Sequence, residues 1–322
     1  MRLRLVKENT AFDFFKRWKI WVGLSAVLVG LSIVSTLSMS LNFGIDFKGG
    51  TTIRAESGQA IDVAAYRSAL EPLGLGDISI AEIFDPTFEV DQYVAQIRIQ
   101  AQDGQEAVAS NIVVKVQAAL QNIAPGITFP SVESVGPKVS GELIKSAAWA
   151  VFIAMTVVLL YIWLRFEWQF AVGAVGAILH DIILTIGVFS ALQIKFDLAI
   201  IAALLTIVGY SLNDTVVVFD RVRENLRRYK KKDLAGVLNL SINETLSRTV
   251  MTSVTTLLAL VSLFVLGGDV IRGFVFAMIW GVIVGTYSSI FVASSTLLSL
   301  GVKRDWSKPN NTDGNQFANI DA

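Results

Sequence analysis

Six long apolar runs constrain this chain more than any other feature of its sequence. A helix needs about 20 consecutive apolar residues to cross the hydrocarbon core of a bilayer. We predict transmembrane helices over residues 20–40, 145–164, 169–192, 198–219, 249–267 and 273–300. Only 17% of the residues are charged, against about 25% in an ordinary soluble chain. The expected fold class is therefore an α-helical polytopic membrane protein.

Lysine and arginine predict the orientation of these helices, because short cytoplasmic loops carry an excess of both. Basic residues concentrate in the leader 1–19, in the loop 220–248 and at the start of the tail 303–322. With six spans these regions lie on one side, which we assign to the cytoplasm. The basic loop either only fixes the topology and solvates a short helix, or also binds anionic lipid or a cytoplasmic partner. The tail is polar and is expected to be disordered.

The segment 41–143 has the composition of a soluble domain and lies between the first two spans, on the opposite side from the cytoplasm. In its clearest strand, Ala95, Ile97 and Ile99 alternate with polar residues, as in a half-buried β-strand. The order of such patterns is β-α-β-β-α-β, which predicts a periplasmic, ferredoxin-like α+β domain. Since this segment has neither histidine nor cysteine, we expect a binding or mechanical domain rather than an enzyme.

Composition excludes several kinds of site. The 27 basic and 27 acidic residues balance, so charge gives no reason to expect a nucleic-acid partner. The chain has no cysteine, which excludes disulfides, thiolate metal sites and a cysteine nucleophile. We predict no metal, no cofactor and no catalytic residue.

An ionisable side chain inside a membrane helix is costly and indicates a functional site by default. Asp214 lies in the cytoplasmic half of the fourth span, and Arg248 opens the fifth. A carboxyl poised between burial, which favours its neutral form, and a cation, which favours its charged form, can take up and release a proton. The residues that supply hydrogen-bonding groups beside it are Tyr210, Ser211, Asn213 and Thr215. A structural hydrogen-bond cluster around Asp214 and an arginine that snorkels to the interface remain alternatives.

Two further features of the spans each leave two interpretations open. His180 and Asp181 lie near the middle of the third span, and His180 is the only histidine in the chain. Because histidine titrates near neutrality, the pair either lines the same proton path or joins helices as a polar contact. In the sixth span, Gly281 and Gly285 form a GxxxG pattern, which is either a close helix–helix seam or ordinary glycine scatter.

Four motifs, in order along the chain, resemble the SecD/SecF family of bacterial protein-export proteins. They are the stretches 44–51 (GIDFKGGT), 134–137 (SVGP), 210–221 (YSLNDTVVVFDR) and 246–249 (LSRT). The first resembles the family signature at the periplasmic exit of the first span, through Gly44, Asp46, Gly49 and Gly50. The chain's length and its single small outer domain favour the smaller of the family's two branches.

The resemblance implies a fold similar to half of an RND-type transporter, in the bacterial inner membrane with both termini in the cytoplasm. It implies a subunit that pairs with SecD, associates with SecYEG and YajC, and uses the proton motive force to help preproteins leave on the periplasmic side. Asp214 and Arg248 match positions of the family's proposed proton path. His180 and Asp181 are included on physical grounds alone.

Three other functions stay open at this point. A small-molecule RND-like efflux pump would need a larger outer domain with an apolar pocket. An intramembrane protease would need Asp181 and Asp214 as a carboxyl pair about 3 Å apart, and the GxGD motif of that class is absent. A scaffold would stabilise a partner without carrying protons, and it would tolerate Asp214→Asn and Arg248→Met.

Overall fold

The computed structural model describes residues 10–75, 78–83, 88, 91–100 and 110–302. The predicted tail 303–322 and the first nine residues of the basic leader lie outside the described residues. In chain order the elements are α1 (Trp18–Met39), β1 (Asn42–Phe43), α2 (Ile45–Lys48), β2 (Gly50–Ser57), α3 (Val63–Leu70), β3 (Ile78–Ile83), β4 (Tyr93–Gln100), α4 (Ser110–Ile123), β5 (Thr128–Val135), α5 (Pro137–Arg165), α6 (Trp168–Ala191), β6 (Lys195–Phe196), α7 (Leu198–Arg228), α8 (Leu234–Leu266), α9 (Asp269–Ser288) and α10 (Ser294–Leu300).

Six helical spans in the described part of the chain are long and apolar enough to cross a membrane, which agrees with the six predicted. The last of them runs from α9 to α10 through a π-helical turn over Ser289–Ala293. α6, α7 and this last span form the interior of the bundle, whereas α1, α5 and α8 expose most of their apolar surface. An exposed apolar surface of this kind is suited to contact with lipid.

The interior helices approach each other closely at small residues. A Cβ atom placed on Gly281 would overlap the side chain of Ile207, and one on Gly285 would lie 3.2 Å from Cβ of Ser211. Gly281 and Gly285 therefore both face α7, with no room for a Cβ at Gly281 and little room at Gly285. Of the two interpretations of the GxxxG pattern, the structure supports the close seam.

Three helix ends lie well beyond the predicted spans. The segment predicted as a basic loop over 220–248 is almost entirely helical, because α7 continues to Arg228 and α8 starts at Leu234. Its Arg, Glu, Leu and Asn residues extend both helices, and the Asp233 side chain caps α8 by accepting from Gly236 N. Similarly α5 begins at Pro137, well before residue 145, with proline at the first helical position. Charged residues mark the limit of the apolar core, but they do not end a helix.

The outer domain contains a four-stranded antiparallel sheet with the strand order β3-β4-β2-β5. The observed element order from β2 to β5 is β-α-β-β-α-β, as the patterns predict. One face of the sheet packs against α3 and α4, with Ile97 of β4 and Leu120 of α4 fully buried in the shared core. Asp62 caps α3 by accepting from Ala64 N at 2.9 Å. β2 is one of the two central strands of this sheet, and its first residues belong to the signature motif.

Candidate functional site

A buried hydrogen-bond cluster around Asp181 joins the three interior helices. Asp181 of α6 is 1% exposed. Its Oδ2 atom accepts hydrogen bonds from Ser211 Oγ of α7 at 2.6 Å and from Ser288 Oγ of α9 at 2.8 Å. Its Oδ1 atom lies 3.0 Å from Nδ1 of His180. Since donors compensate the cost of burying a carboxylate, the fold holds this side chain in one fully partnered arrangement.

His180 continues the polar contacts towards α1. Its ring stacks on that of Tyr287, with centroids 6.0 Å apart, while its Nε2 atom is buried and has no partner among the described residues. The hydroxyl of Tyr287 donates to the Trp21 carbonyl at 2.9 Å and lies 2.8 Å from Ser25 Oγ. Asp181 therefore makes polar contacts between helices, and His180 contacts α9 through its ring.

Asp214 lies on α7 one helical turn after Ser211, in a very different environment. It is 3% exposed, yet its side chain makes no hydrogen bond to any described residue, and its Oδ2 atom is fully enclosed. The hydroxyls of Tyr210 and Thr215 on the same helix, and that of Thr249 on α8, are likewise buried without a hydrogen-bond partner in the described part of the chain. Because a buried polar atom without a partner is costly, the Asp214 carboxyl is a candidate functional group.

Arg248 does not form the direct ion pair with Asp214 that the sequence suggests. Its side chain, near the middle of α8, is exposed, and no described ion pair joins the two residues. Its helix α8 nevertheless packs against α7, the helix that carries Asp214. Arg248 is thus a cation beside the site rather than within it.

The four predicted supporting residues divide between two faces of α7. Ser211 and Thr215 are buried on the same face as Asp214, and Tyr210 is half-buried. Asn213 is exposed on the outer surface of the helix, which carries a stripe of small and polar residues at three- and four-residue spacing. The members of this outer stripe are Ala202, Thr206, Gly209 and Asn213. The structure therefore brings Ser211 and Thr215 to the site and leaves Asn213 outside it.

The signature motif at residues 44–51 joins the outer domain to the bundle. Gly44 N donates to the Phe196 carbonyl at 2.8 Å, and a Cβ at Gly44 would lie 3.1 Å from Cε of Lys195. Asp46 Oδ2 accepts a 3.0 Å hydrogen bond from the backbone N–H of Leu198, the first residue of α7. Gly44 therefore contacts the strand before α7, and Asp46 contacts the first turn of α7, the helix that carries Asp214 further along.

The rest of the motif also contributes to this contact between the outer domain and the bundle, which we call the junction. Phe47 is buried in an aromatic group with Phe43 and Phe196, at centroid distances of 5.7 and 5.9 Å. Gly49 and Gly50 have φ values of 73° and 128°, which residues with a side chain rarely adopt. These two glycines turn the chain from α2 into the central strand β2.

Sequence reasoning missed Ser288 and Tyr287 of α9. The sequence feature that could have indicated them is a short polar run, Thr286 to Ser289, in the middle of an otherwise apolar span. Serine and threonine are common in membrane helices, where they often bond their own backbone, so composition alone could not identify Ser288 as a partner of Asp181.

Two family models match the chain. The model described as "Protein export membrane protein SecD/SecF, C-terminal" matches residues 115–303, and that of the "SecD/SecF GG Motif" matches 41–61. The chain is 60% identical over 321 residues to the protein translocase subunit SecF of Cereibacter sphaeroides, covering 100% of this chain and 99% of that protein. It is 58% identical to SecF of Rhodobacter capsulatus, covering 97% of this chain and 96% of that protein.

The fold is similar to that of solved SecDF structures. The crystal structure of SecDF from Thermus thermophilus, described as a translocon-associated membrane protein, is 33% identical with a TM-score of 0.82 and covers 93% of this chain. A SecDF structure in a super-membrane-facing form is 34% identical with a TM-score of 0.68, over the same 93%. This chain spans 40% of the length of each of those two chains.

Proposed function

This chain belongs to the SecF branch of the SecD/SecF family of protein export membrane proteins, and we propose that it couples proton movement at Asp214 to preprotein translocation and release on the periplasmic side. The observation that carries the proposal is the enclosed, unpartnered Asp214 side chain. Burying a carboxyl without a hydrogen-bond donor destabilises the fold, so we infer that Asp214 is retained for a function.

The contrast between the two buried carboxyls supports the assignment to Asp214. Asp181 has its oxygens matched by two hydroxyls and a ring nitrogen, so its side chain is committed to the contacts that join the interior helices. Asp214 has no such bonds to break in the part of the chain that the structure describes. A proton can therefore bind and leave Asp214 without dismantling the helix contacts around it.

Arg248 supplies the second element of the proposed switch. A cation that attracts a carboxylate but is not bonded to it favours the charged form without locking it. When Asp214 is charged, the attraction draws α8 towards α7; when it is neutral, the attraction disappears. Proton binding at one residue thus changes the force between two helices, which is the kind of two-state change that coupling requires.

We further propose that the outer stripe of α7 packs against a second six-helix half of the SecD type. Gly209 in this stripe has no atom within 4 Å of where a Cβ would lie, and small residues let membrane helices approach closely. Asn213 would meet a polar environment there instead of lipid tails. The greater length of the SecDF chains, of which this fold covers 40%, is consistent with a second half. Association with SecYEG and YajC follows from the family resemblance.

The chain is a multi-pass membrane protein, and we propose the inner membrane as its location, with both termini cytoplasmic and a ferredoxin-like domain in the periplasm. The end of the bundle opposite the outer domain carries arginines 165, 221, 223, 227 and 228, which favours the cytoplasmic side. Trp163 and Trp168 are exposed at that end, as is typical of residues at a membrane interface.

The test is export in cells that carry Asp214→Asn. We expect the variant to enter the membrane normally and to delay preprotein release. Asp220→Asn is the matched control, because Asp220 is an exposed carboxyl on the same helix. Normal export by Asp214→Asn would favour a scaffold that carries no protons. The carboxyl-pair protease finds no support, since the partners of Asp181 are hydroxyls and an imidazole, not a second carboxyl.

A further inference from the structure

The first turn of α7 is held in part by the outer domain. The first N–H groups of a helix have no partner within the helix and need one from elsewhere. Ala199 N finds its partner locally, in Oδ1 of Asp197 at 3.1 Å. Leu198 N instead donates to Oδ2 of Asp46, which lies 152 residues earlier in the chain. One cap thus belongs to the helix itself, and the other comes from the signature motif.

Several other contacts reinforce this connection. Asn42 and Phe43 of β1 pair in parallel with Lys195 and Phe196 of β6, immediately before α7. On the outer-domain side, Arg98 of β4 is close to both Asp46 and Asp197. Burial lowers the Arg98 pKa, and the two carboxylates partly oppose that shift. The junction therefore combines a strand pairing, a helix cap and charges contributed by both parts of the molecule.

The junction continues without interruption in both directions. Three residues after Asp46, the glycine turn begins and leads into β2, a central strand of the outer sheet that is paired along both edges. In the other direction, α7 runs as one helix to Arg228. Asp214 lies sixteen residues beyond Leu198, about 24 Å along the helix axis. A displacement at either end has a direct mechanical route to the other.

We propose that Asp46 is a positioning residue that fixes the outer domain to the first turn of α7, so that the domain and the helix carrying Asp214 move as one unit. This inference rests on the proposed function, because it supplies the route by which proton binding at Asp214 would reach the periplasmic domain. It assigns a physical role to the acidic residue of the signature.

Amide hydrogen exchange tests the anchor without any proton gradient. In Asp46→Ala, exchange at the Leu198 amide should accelerate roughly fivefold, the loss expected for one helix cap. Asp46→Asn keeps an acceptor oxygen and should restore most of the protection. Asp62→Ala is the matched control, because it removes an equivalent cap from α3 in the same domain and should leave Leu198 unchanged. Unchanged exchange in Asp46→Ala would overturn the proposal.

A reversible cross-link tests whether the junction moves as one unit. The chain has no cysteine, so Asn42→Cys with Lys195→Cys introduces a single possible disulfide between paired strand positions. Export by the oxidised variant should equal export by the reduced one, because these positions do not need to separate. Loss of export on oxidation, with recovery on reduction, would contradict a fixed junction.

The same experiments separate this inference from the proposed function. If Asp214→Asn exports normally while Asp46→Ala exposes the Leu198 amide, the proton-coupling proposal fails and the anchor stands. If Asp214→Asn blocks export while Asp46→Ala matches Asp62→Ala in both exchange and export, the anchor fails and proton coupling stands.

Discussion

Ser211 donates a 2.6 Å hydrogen bond to Asp181 and lies one helical turn before Asp214 on α7. Through Ser211 the buried carboxyls Asp181 and Asp214 are connected in the structure, although they lie 33 residues apart in the chain. One is fully bonded and joins three helices, and the other is unpartnered. This division suggests that Asp181 holds the interior together while Asp214 remains available for proton exchange.

Removing a donor from Asp181 should weaken the bundle. Ser288→Ala leaves one carboxylate oxygen with a single donor, and we expect a loss of about 1–3 kcal/mol in stability. A lower Tm in detergent would show this. Ser262→Ala is the control, because Ser262 is exposed on α8 and its hydroxyl donates only to the Leu258 carbonyl of the same helix. Equal Tm values for the two variants would show that the cluster contributes little.

Filling the glycine seam should also destabilise the bundle. In Gly281→Ala the added Cβ overlaps Ile207, and overpacking of this kind typically costs about 1–3 kcal/mol. The comparison is Gly30→Ala on α1, where a Cβ meets no atom within 4 Å. That substitution should be neutral or slightly stabilising, since alanine is the better helix former. A stable Gly281→Ala variant would mean that α7 and α9 can separate without cost.

A bulky residue in the outer stripe of α7 should impair assembly rather than folding. Gly209→Leu has open space around it in this chain, so the variant should fold and enter the membrane. Its side chain would occupy the surface where we place a SecD-type half, and co-purification with that partner should fall. Gly23→Leu on α1 has similar open space and serves as the control. If both variants retain the partner equally, the interface lies elsewhere.

The Arg248 side chain should matter for its charge more than for its shape. Because the proposed attraction to Asp214 needs no direct hydrogen bond, Arg248→Lys should retain most export activity, whereas Arg248→Met should lose it. Export of a secreted reporter protein measures both. Equal loss in the two variants would indicate a specific guanidinium contact, and full activity of Arg248→Met would remove Arg248 from the mechanism.

The sequence could predict what depends on local composition. The six spans, the strand of Ala95, Ile97 and Ile99, and the isolated carboxyls Asp181 and Asp214 are each visible in a short stretch of chain. Helix ends were less predictable, because α5 and α7 continue past the limit of the apolar core. The hydropathy pattern does not show whether the residues that flank an apolar run are helical. In the structure, α7 extends to Arg228 and α5 begins at Pro137.

Contacts between distant segments could not be predicted. Whether Arg248 meets Asp214 depends on how α8 is rotated against α7, and the mixed polar and apolar sequence around Arg248 does not specify that rotation. The bond from Leu198 to Asp46 spans 152 residues, and the motif alone indicates neither partner. Ser288 is one serine among many until the packing of α9 against α6 and α7 brings it to Asp181.

Proton flux through the membrane tests the central claim most directly. Everted inner-membrane vesicles that contain this chain with its SecD-type partner would be given a pH gradient, and proton movement followed with a pH-sensitive dye. Asp214→Asn should reduce the flux to that of vesicles lacking the subunit, while Asp220→Asn should match the wild type. Equal flux in Asp214→Asn and wild-type vesicles would contradict the proposal that protons move at Asp214.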